Sequence, residues 1–347
     1  MKRGYISFLS ALAVFVMASC KTLEPDDSGV PAGYGKIIVN VAVSDCSTRS
    51  VESFDYEQGI NTMQFLVFDS QGRLLCYSQT PQLEDVPAGN CEVWVVANGP
   101  DCSDVMDRSS LMNKEILLSD NSTDPSKGFV MRGSTSITVL KDESVPASIV
   151  LERMVSRIYV NNITNDIPDA LGDIVIKSVC LANAVGSQNL EGTMTSVLWL
   201  NQCGCSSQGE GYKIDGVQNL AQVPDMTWRS SGETILNGQT ENLGIPLYGF
   251  QNEETGWSDS FPFTPRMSAL MLNLSTKNLV TGLYEDSRYF IVLEHSMDAN
   301  MSYFLDLTFK GLTPPFGDGN NQELITVSIS SSMVNGYQTV TGGSFDI

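Results

Sequence analysis

The side chains able to do chemistry are few in this 347-residue chain. His295 is its single histidine and lies in FIVLEHSMDAN, a strand-and-turn pattern. A catalytic serine needs a base beside it and a G-x-S-x-G elbow to raise its hydroxyl, and the chain has no such motif. His295 therefore reads as an ordinary polar residue. Cys203-Gly-Cys205 is not the C-x-x-C of a zinc ribbon or redox pair, and no cluster of histidines accompanies it. Gly317-Asp318-Gly319-Asn320-Asn321 lacks the spaced acids and closing glutamate of a calcium loop and reads as a turn. No glycine-rich loop of the phosphate-cradling type is present. Carboxylates are abundant, but nothing in their spacing singles out an acid and base for glycoside hydrolysis. The expectation is a protein that is not an enzyme and uses no cofactor or metal.

The other chemistry is done to the chain rather than by it. Lys2 and Arg3 form a short basic start, and residues 5–17 are a mostly apolar run too short to span a bilayer. The run ends Val16-Met17-Ala18-Ser19-Cys20, which resembles a bacterial lipobox, making Cys20 the expected site of lipidation. The alternative at this point is an ordinary secretory signal cut near Ser19. Acyl chains on Cys20 would hold the protein to a membrane, each buried CH₂ contributing about 0.8 kcal/mol. Residues 21–35 are acidic and rich in Gly and Pro, as a tether would be. Arg49 lies in a Ser/Thr/Asp segment of exposed, easily cut character, and Arg49–Ser50 is the candidate proteolytic processing point.

Twenty Lys and Arg against 40 Asp and Glu give a formal charge of −20. So negative a surface excludes nucleic acid as a partner, because phosphates need cations. Cys46, Cys76, Cys91, Cys102, Cys180, Cys203 and Cys205 remain after Cys20, an odd number, so pairing within one chain would leave a thiol over. Cys91 sits within a strand pattern and reads as a small core residue. Of the tryptophans, Trp94 and Trp199 fall in apolar strand patterns, while Trp228 and Trp257 fall in loop-like sequence and are the better candidates for stacking on a glycan.

The elements that carry these residues read as strands. In residues 36–43, Ile37, Val39, Val41 and Val43 occupy alternate positions and so share one face of an extended chain. Burying four such side chains is worth roughly 6–12 kcal/mol gross. Residues 61–68 and 73–78 form a hairpin about the turn Asp69–Gly72, and 91–97 is a nearly continuous apolar run that suits an internal strand. A short helix is expected around 105–113, with strands at 129–132, 136–140 and 147–151. Alternation resumes at 152–162, then at 173–182, 193–200, 247–250, 268–275, 288–293, 302–309 and 323–330. Residues 201–216 read as a Gly/Ser-rich loop. In 324–330, Ile325, Val327 and Ile329 share a face. Many short strands separated by turns predict an all-β fold of sandwiches or small barrels, with minor helix.

Several segments, in order, resemble the FimA/Mfa-type fimbrillin family of pilus subunits. They are IIVNVAVSDCSTR (37–49) after the lipobox, INTMQFLVFDSQGRLL (60–75), PAGNCEVWVVANGP (87–100), GFVMRGSTSITVL (128–140), LERMVSRIYVNNI (151–163), RYFIVLEH (288–295) and ANMSYFLDLTFKG (299–311). The chain departs from the family where SSMVNGYQ (331–338) lacks the tryptophan common in stalk subunits. The resemblance implies two tandem β-sandwich domains of transthyretin-like, fimbrillin type. A signal peptide would cover 1–19 and a lipidated propeptide 20–49, holding the first strand. An N-terminal domain would span 50–151, completed by strand 36–43, and a C-terminal domain 152–347.

It further implies an outer-membrane lipoprotein precursor that moves to the cell-surface fimbrium after an Arg-specific protease cuts at Arg49. The strand bearing Ile37, Val39, Val41 and Val43 would then leave. A donor strand from another subunit would fill the groove, candidates being the stretch with Ile325, Val327 and Ile329 or the arm 336–347. Expected partners are other pilus subunits, the protease, the membrane before cleavage, and a host protein or glycan. The alternatives are a lipid-retaining anchor or tip adhesin of the same pilus, or a stand-alone glycan-binding surface lipoprotein.

Overall fold

The computed structural model describes residues 33–44, 54–195, 199–201, 205–208, 211–214, 224–252, 268–293, 297–311, 325–331 and 344–346. The first group of strands is β1 (Tyr34–Val43), β2 (Met63–Asp69), β3 (Leu74–Ser78), β4 (Gln82–Pro87), β5 (Gly89–Ala97), β6 (Glu115–Leu117), β7 (Met131–Val139) and β8 (Ser144–Arg153). One short helix, α1 (Arg108–Met112), interrupts them; Asp107 caps it by accepting the Ser110 N–H at 2.7 Å.

Seven of these strands hydrogen-bond in the order β3-β2-β5-β7-β8-β1-β4. β7 and β8 are in register only at Met131–Arg153 and Arg132–Glu152, so the ladder turns a corner there. One layer is thus β3-β2-β5-β7 and the other β8-β1-β4. β5 is central in the first layer, with β2 on one side and β7 on the other. Its run Val93–Ala97 is buried throughout, as expected of a strand covered on both faces.

The second group is β9 (Ser156–Asn165), β10 (Ile174–Ala182), β11 (Ala184–Val185), β12 (Ser187–Asn189), β13 (Trp199–Leu200), β14 (Cys205–Gln208), β15 (Gly211–Ile214), α2 (Pro224–Thr227), β16 (Trp228–Ile235), β17 (Thr240–Gly249), β18 (Ala269–Lys277), β19 (Tyr284–Val292), β20 (Ser302–Phe309), β21 (Ile325–Ser331) and β22 (Ser344–Asp346). Nine of these strands form a four-stranded sheet, β16-β10-β18-β19, and a five-stranded sheet, β17-β9-β20-β21-β22; β11 pairs with β13, β14 with β15, and β12 with β6. One buried apolar cluster runs from Ile37 and Phe65 through Phe129 and Val155 to Leu247 and Phe309, joining the two groups. Among the described residues no helix is long and apolar enough to cross a membrane.

Several local expectations change. The two strands expected at 129–132 and 136–140 are one strand, β7, with residues 129, 130 and 140 outside it. The strand runs unbroken through Gly133, where a Cβ would run into the Val150 carbonyl and lie 2.8 Å from Ile149 Cγ2. The glycine is there for close backbone approach to β8. Residues 201–216, read as a loop, contain the β14–β15 hairpin. Trp228 begins β16, paired with Cys180, rather than lying in a loop. β4 and β16 were not anticipated, because QLEDVP and WRSSGETI carry too few apolar residues to show alternation.

Candidate functional site

The site is the slot that β1 occupies. β1 pairs parallel to β8 from Lys36–Ser144 to Val43–Leu151. On its other side it pairs antiparallel with β4 at Tyr34–Pro87, Gly35–Val86, Ile37–Leu83 and Ile38–Gln82. It is the middle strand of its three-stranded layer, and β4 has no other ladder partner. Lys36 N–H donates to Glu143 O at 2.8 Å and Val39 N–H to Pro81 O at 2.8 Å, while Ala88 N–H donates to Gly33 O at 2.9 Å. Lys36 Nζ also meets Glu84 Oε1 at 2.6 Å, an exposed pair that contributes little.

The alternation read from the sequence is the one observed, with a gradient along it. Ile37 and Val39 are buried, whereas Val41 and Val43 are half-buried and Ile38, Asn40 and Ala42 point outward. β4 flanks only the first half of β1, so the second half is covered from one side. The hydrophobic hold is therefore nearer to the roughly 3–6 kcal/mol of two fully buried side chains plus two partial ones. Withdrawing β1 would uncover the facing edges of β8 and β4 together, a gap one strand wide with open backbone groups on both sides.

Past β1 the chain re-enters the described residues at Phe54 and is fastened at the seam between the two groups of strands. Glu57 Oε1 accepts from Arg157 Nη1 at 3.0 Å and from the Tyr248 hydroxyl at 2.7 Å, and its carbonyl oxygen accepts from Arg153 Nε at 2.6 Å. Glu57, Arg153 and Arg157 are fully buried. Tyr56 stacks on Phe54 at 5.2 Å and shares a hydrogen bond with Tyr248 at 3.1 Å. Burial pushes the Tyr56 phenol up, against that hydrogen bond. Ser122 Oγ donates to Asp225 Oδ2 at 2.7 Å, and β6 pairs with β12, sewing the same seam elsewhere. The contacts of Glu57, Tyr56 and Ser122 across the seam were not foreseen, since they join residues 96 or more apart in sequence. Glu57 carries no signal beyond being an acid beside aromatics.

Of the other expected residues, Cys20, Arg49, Ser50, His295 and Trp257 lie outside the described residues. The backbone of Ile325, Val327 and Ile329 lies in β21, opposite Phe309, Leu307 and Leu305 of β20. β22 pairs outside it, at the sheet edge, so both C-terminal strands sit in their own subunit's sheet. Cys91 is buried within β5, as its strand pattern indicated, and Cys76, Cys102 and Cys180 are buried too.

No protein-family model and no curated sequence matches the chain. Solved structures do match. A Parabacteroides distasonis protein assigned to cell adhesion superposes with a TM-score of 0.58 at 15% identity, over 87% of this chain and all of that one (100%). A Bacteroides eggerthii protein likewise assigned to cell adhesion gives 0.56 at 13% identity, over 90% and 99%. The fimbrillin FimA of Porphyromonas gingivalis gives 0.52 at 11% identity, over 90% and 99%. The chain has the fimbrillin fold. In that fold the β1 slot and the Glu57 seam occupy one N-terminal sandwich and its junction with a C-terminal one.

Proposed function

We propose that this chain is a structural, non-enzymatic subunit of a cell-surface pilus that supports adhesion. It is exported as a lipoprotein acylated at Cys20, reaches the outer membrane, and is cut by an Arg-specific protease between Arg49 and Ser50. Residues 1–19 are its signal peptide and 20–49 its propeptide. Residues 50–151 and 152–347 are its two domains. The strand bearing Ile37, Val39, Val41 and Val43 then leaves, and the slot between β8 and β4 takes a donor strand from another subunit. The donor comes from the C-terminal part of that subunit: Ile325, Val327 and Ile329, or the arm 336–347.

The observation that carries this reading is the position of β1. It is the middle strand of its layer, yet it comes first among the described strands, and the candidate cut lies just beyond its end. A middle strand that can be removed leaves two edges facing each other, and an added strand is held by backbone hydrogen bonds worth about 0.5–1.5 kcal/mol each. A donor and acceptor on opposite parts of one chain make a head-to-tail contact, which propagates as a filament rather than closing. The fimbrillin fold of the chain supports the same reading.

Arg49→Ala tests it. Expressed at the cell surface, the variant is expected to remain an uncut, lipid-bearing monomer and to give no heat-resistant ladder on gels. Efficient polymerisation of Arg49→Ala would remove the proposal.

A further inference from the structure

The slot is not equally permissive along its length. At Gly35 the backbone of β1 passes so close to the β7–β8 turn that a Cβ would run into the Leu140 carbonyl oxygen. It would also lie 2.8 Å from Val139 Cγ1 and 3.1 Å from the Glu143 carbonyl oxygen. Two of the three obstacles are backbone atoms, which cannot swing aside as a side chain can. Lys36 N–H bonds to that same Glu143 carbonyl, so this turn is also what grips the strand. Two residues further on comes Ile37, fully buried, and two further Val39, at 5% exposure. The two-sided part of the slot therefore reads glycine, then an apolar side chain at the second and fourth positions after it.

We propose that Gly35 marks a glycine-only position that sets the register of any strand in the slot, and that residues 343–347 of a second copy are the strand selected by it. This rests on the exchange reading above and adds to it which segment enters and where. Gly343-Ser344-Phe345-Asp346-Ile347 repeats the order of Gly35-Lys36-Ile37-Ile38-Val39: a glycine, then apolar residues two and four places later. The stretch around β21 does not meet the requirement. Placing Ile325, Val327 and Ile329 where Ile37, Val39 and Val41 lie sets Glu323 on Gly35. Moving them one step along sets Asn321 on Gly35 and Glu323 on the fully buried Ile37. Either placement asks a Cβ to overlap backbone, and the second also buries a carboxylate.

The test has two arms. In the uncut chain, Gly35→Ala is compared with Asn40→Ala, whose side chain points outward on the same strand. Gly35→Ala is expected to lower the melting temperature and to speed hydrogen exchange of the β1 amides by at least about tenfold, while Asn40→Ala leaves both unchanged. Equal behaviour of the two variants overturns the role of Gly35, whatever becomes of strand exchange. In the chain cut at Arg49 and stripped of β1, binding is measured for the peptides YGKIIVNVAV (34–43), QTVTGGSFDI (338–347) and ELITVSISS (323–331). The first two are expected to bind and compete, and to weaken by about tenfold or more with Gly35→Ala or Gly343→Ala respectively. ELITVSISS is expected to compete poorly. Stronger competition by ELITVSISS, or no loss with Gly343→Ala, overturns the assignment of 343–347. Failure of YGKIIVNVAV itself to bind defeats the exchange reading and the assignment with it, and leaves the uncut-chain comparison to decide Gly35.

Discussion

Glu57, in the helical turn Asp55–Glu57 between β1 and β2, and Arg157 of β9 form an ion pair with no exposed side-chain surface, Arg157 Nη1 lying 3.0 Å from Oε1 and 3.1 Å from Oε2. The Tyr248 hydroxyl bonds the same carboxylate and Ser302 Oγ accepts from Arg157 Nε at 2.9 Å, so both charges have several partners. Arg157 also lies over the rings of Tyr159 and Phe304, at 5.6 and 5.9 Å. This pair fastens the chain that follows Arg49 to the second group of strands. A cut after Arg49, as proposed above, would leave the chain from Phe54 onward held at this seam.

Removing one partner of that pair strands the other in the interior. Glu57→Ala is expected to cost about 3–5 kcal/mol, the usual penalty for an uncompensated buried charge. Replacing both, Glu57→Met with Arg157→Met, is expected to cost less than the sum of the single changes. Denaturant melts of the singles and the double check this; strictly additive losses would mean that the two charges do not interact.

Ile37 should matter only while β1 is present. In the uncut chain Ile37→Ala leaves a cavity in a fully buried position and is expected to cost about 2–5 kcal/mol. In the cut and released form the same substitution should be without effect. If the cut chain still melts lower with Ile37→Ala, the strand has stayed in its slot after cleavage.

The buried thiols are expected to be inert. Burial pushes Cys91 up to about 11 and Cys102 to about 12, so at about pH 8 almost none of either is thiolate. Iodoacetamide should modify neither in the native protein and both after denaturation, read by peptide mass. Rapid native labelling of Cys91 would show that β5 opens, contrary to its central place in the sheet.

Acid should weaken the β2–β3 hairpin. Burial pushes the Asp69 carboxyl up, but the Arg73 and Gln71 N–H groups and the Arg73 guanidinium outweigh it, and the net shift is downward. A carboxyl held below its unfolded value stabilises the fold above that value and loses its contribution as pH falls through the folded one. Between neutral pH and about pH 4 the hairpin should keep this stabilisation, and lose it below. Asp69→Asn should therefore be less stable than wild type near neutrality, with the difference fading in acid. A constant difference at all pH values would contradict the assignment.

Much of the strand pattern was legible because alternation and long apolar runs survive without context. Ile37, Val39 and the run Val93–Ala97 announce their faces in the sequence alone. β4 did not, since Leu83 and Val86 are its only fully buried residues and acids lie between them. That β1 runs parallel to β8, and that β4 caps it, are pairings across long sequence separations that no local pattern encodes. Gly35 reads as the last residue of the tether, but it lies inside β1. Its meaning waited on the carbonyls of the β7–β8 turn. The gradient from Ile37 to Val43 was hidden for the same reason, because burial here is set by how far β4 extends.

The central claim is that β1 is a removable strand, and the N-terminus of the protein taken from the cell surface tests it most directly. Intact mass and end sequencing are expected to find a chain beginning at Ser50, without lipid, in the polymer. A polymer built of chains that begin at acylated Cys20 and retain β1 would contradict the account.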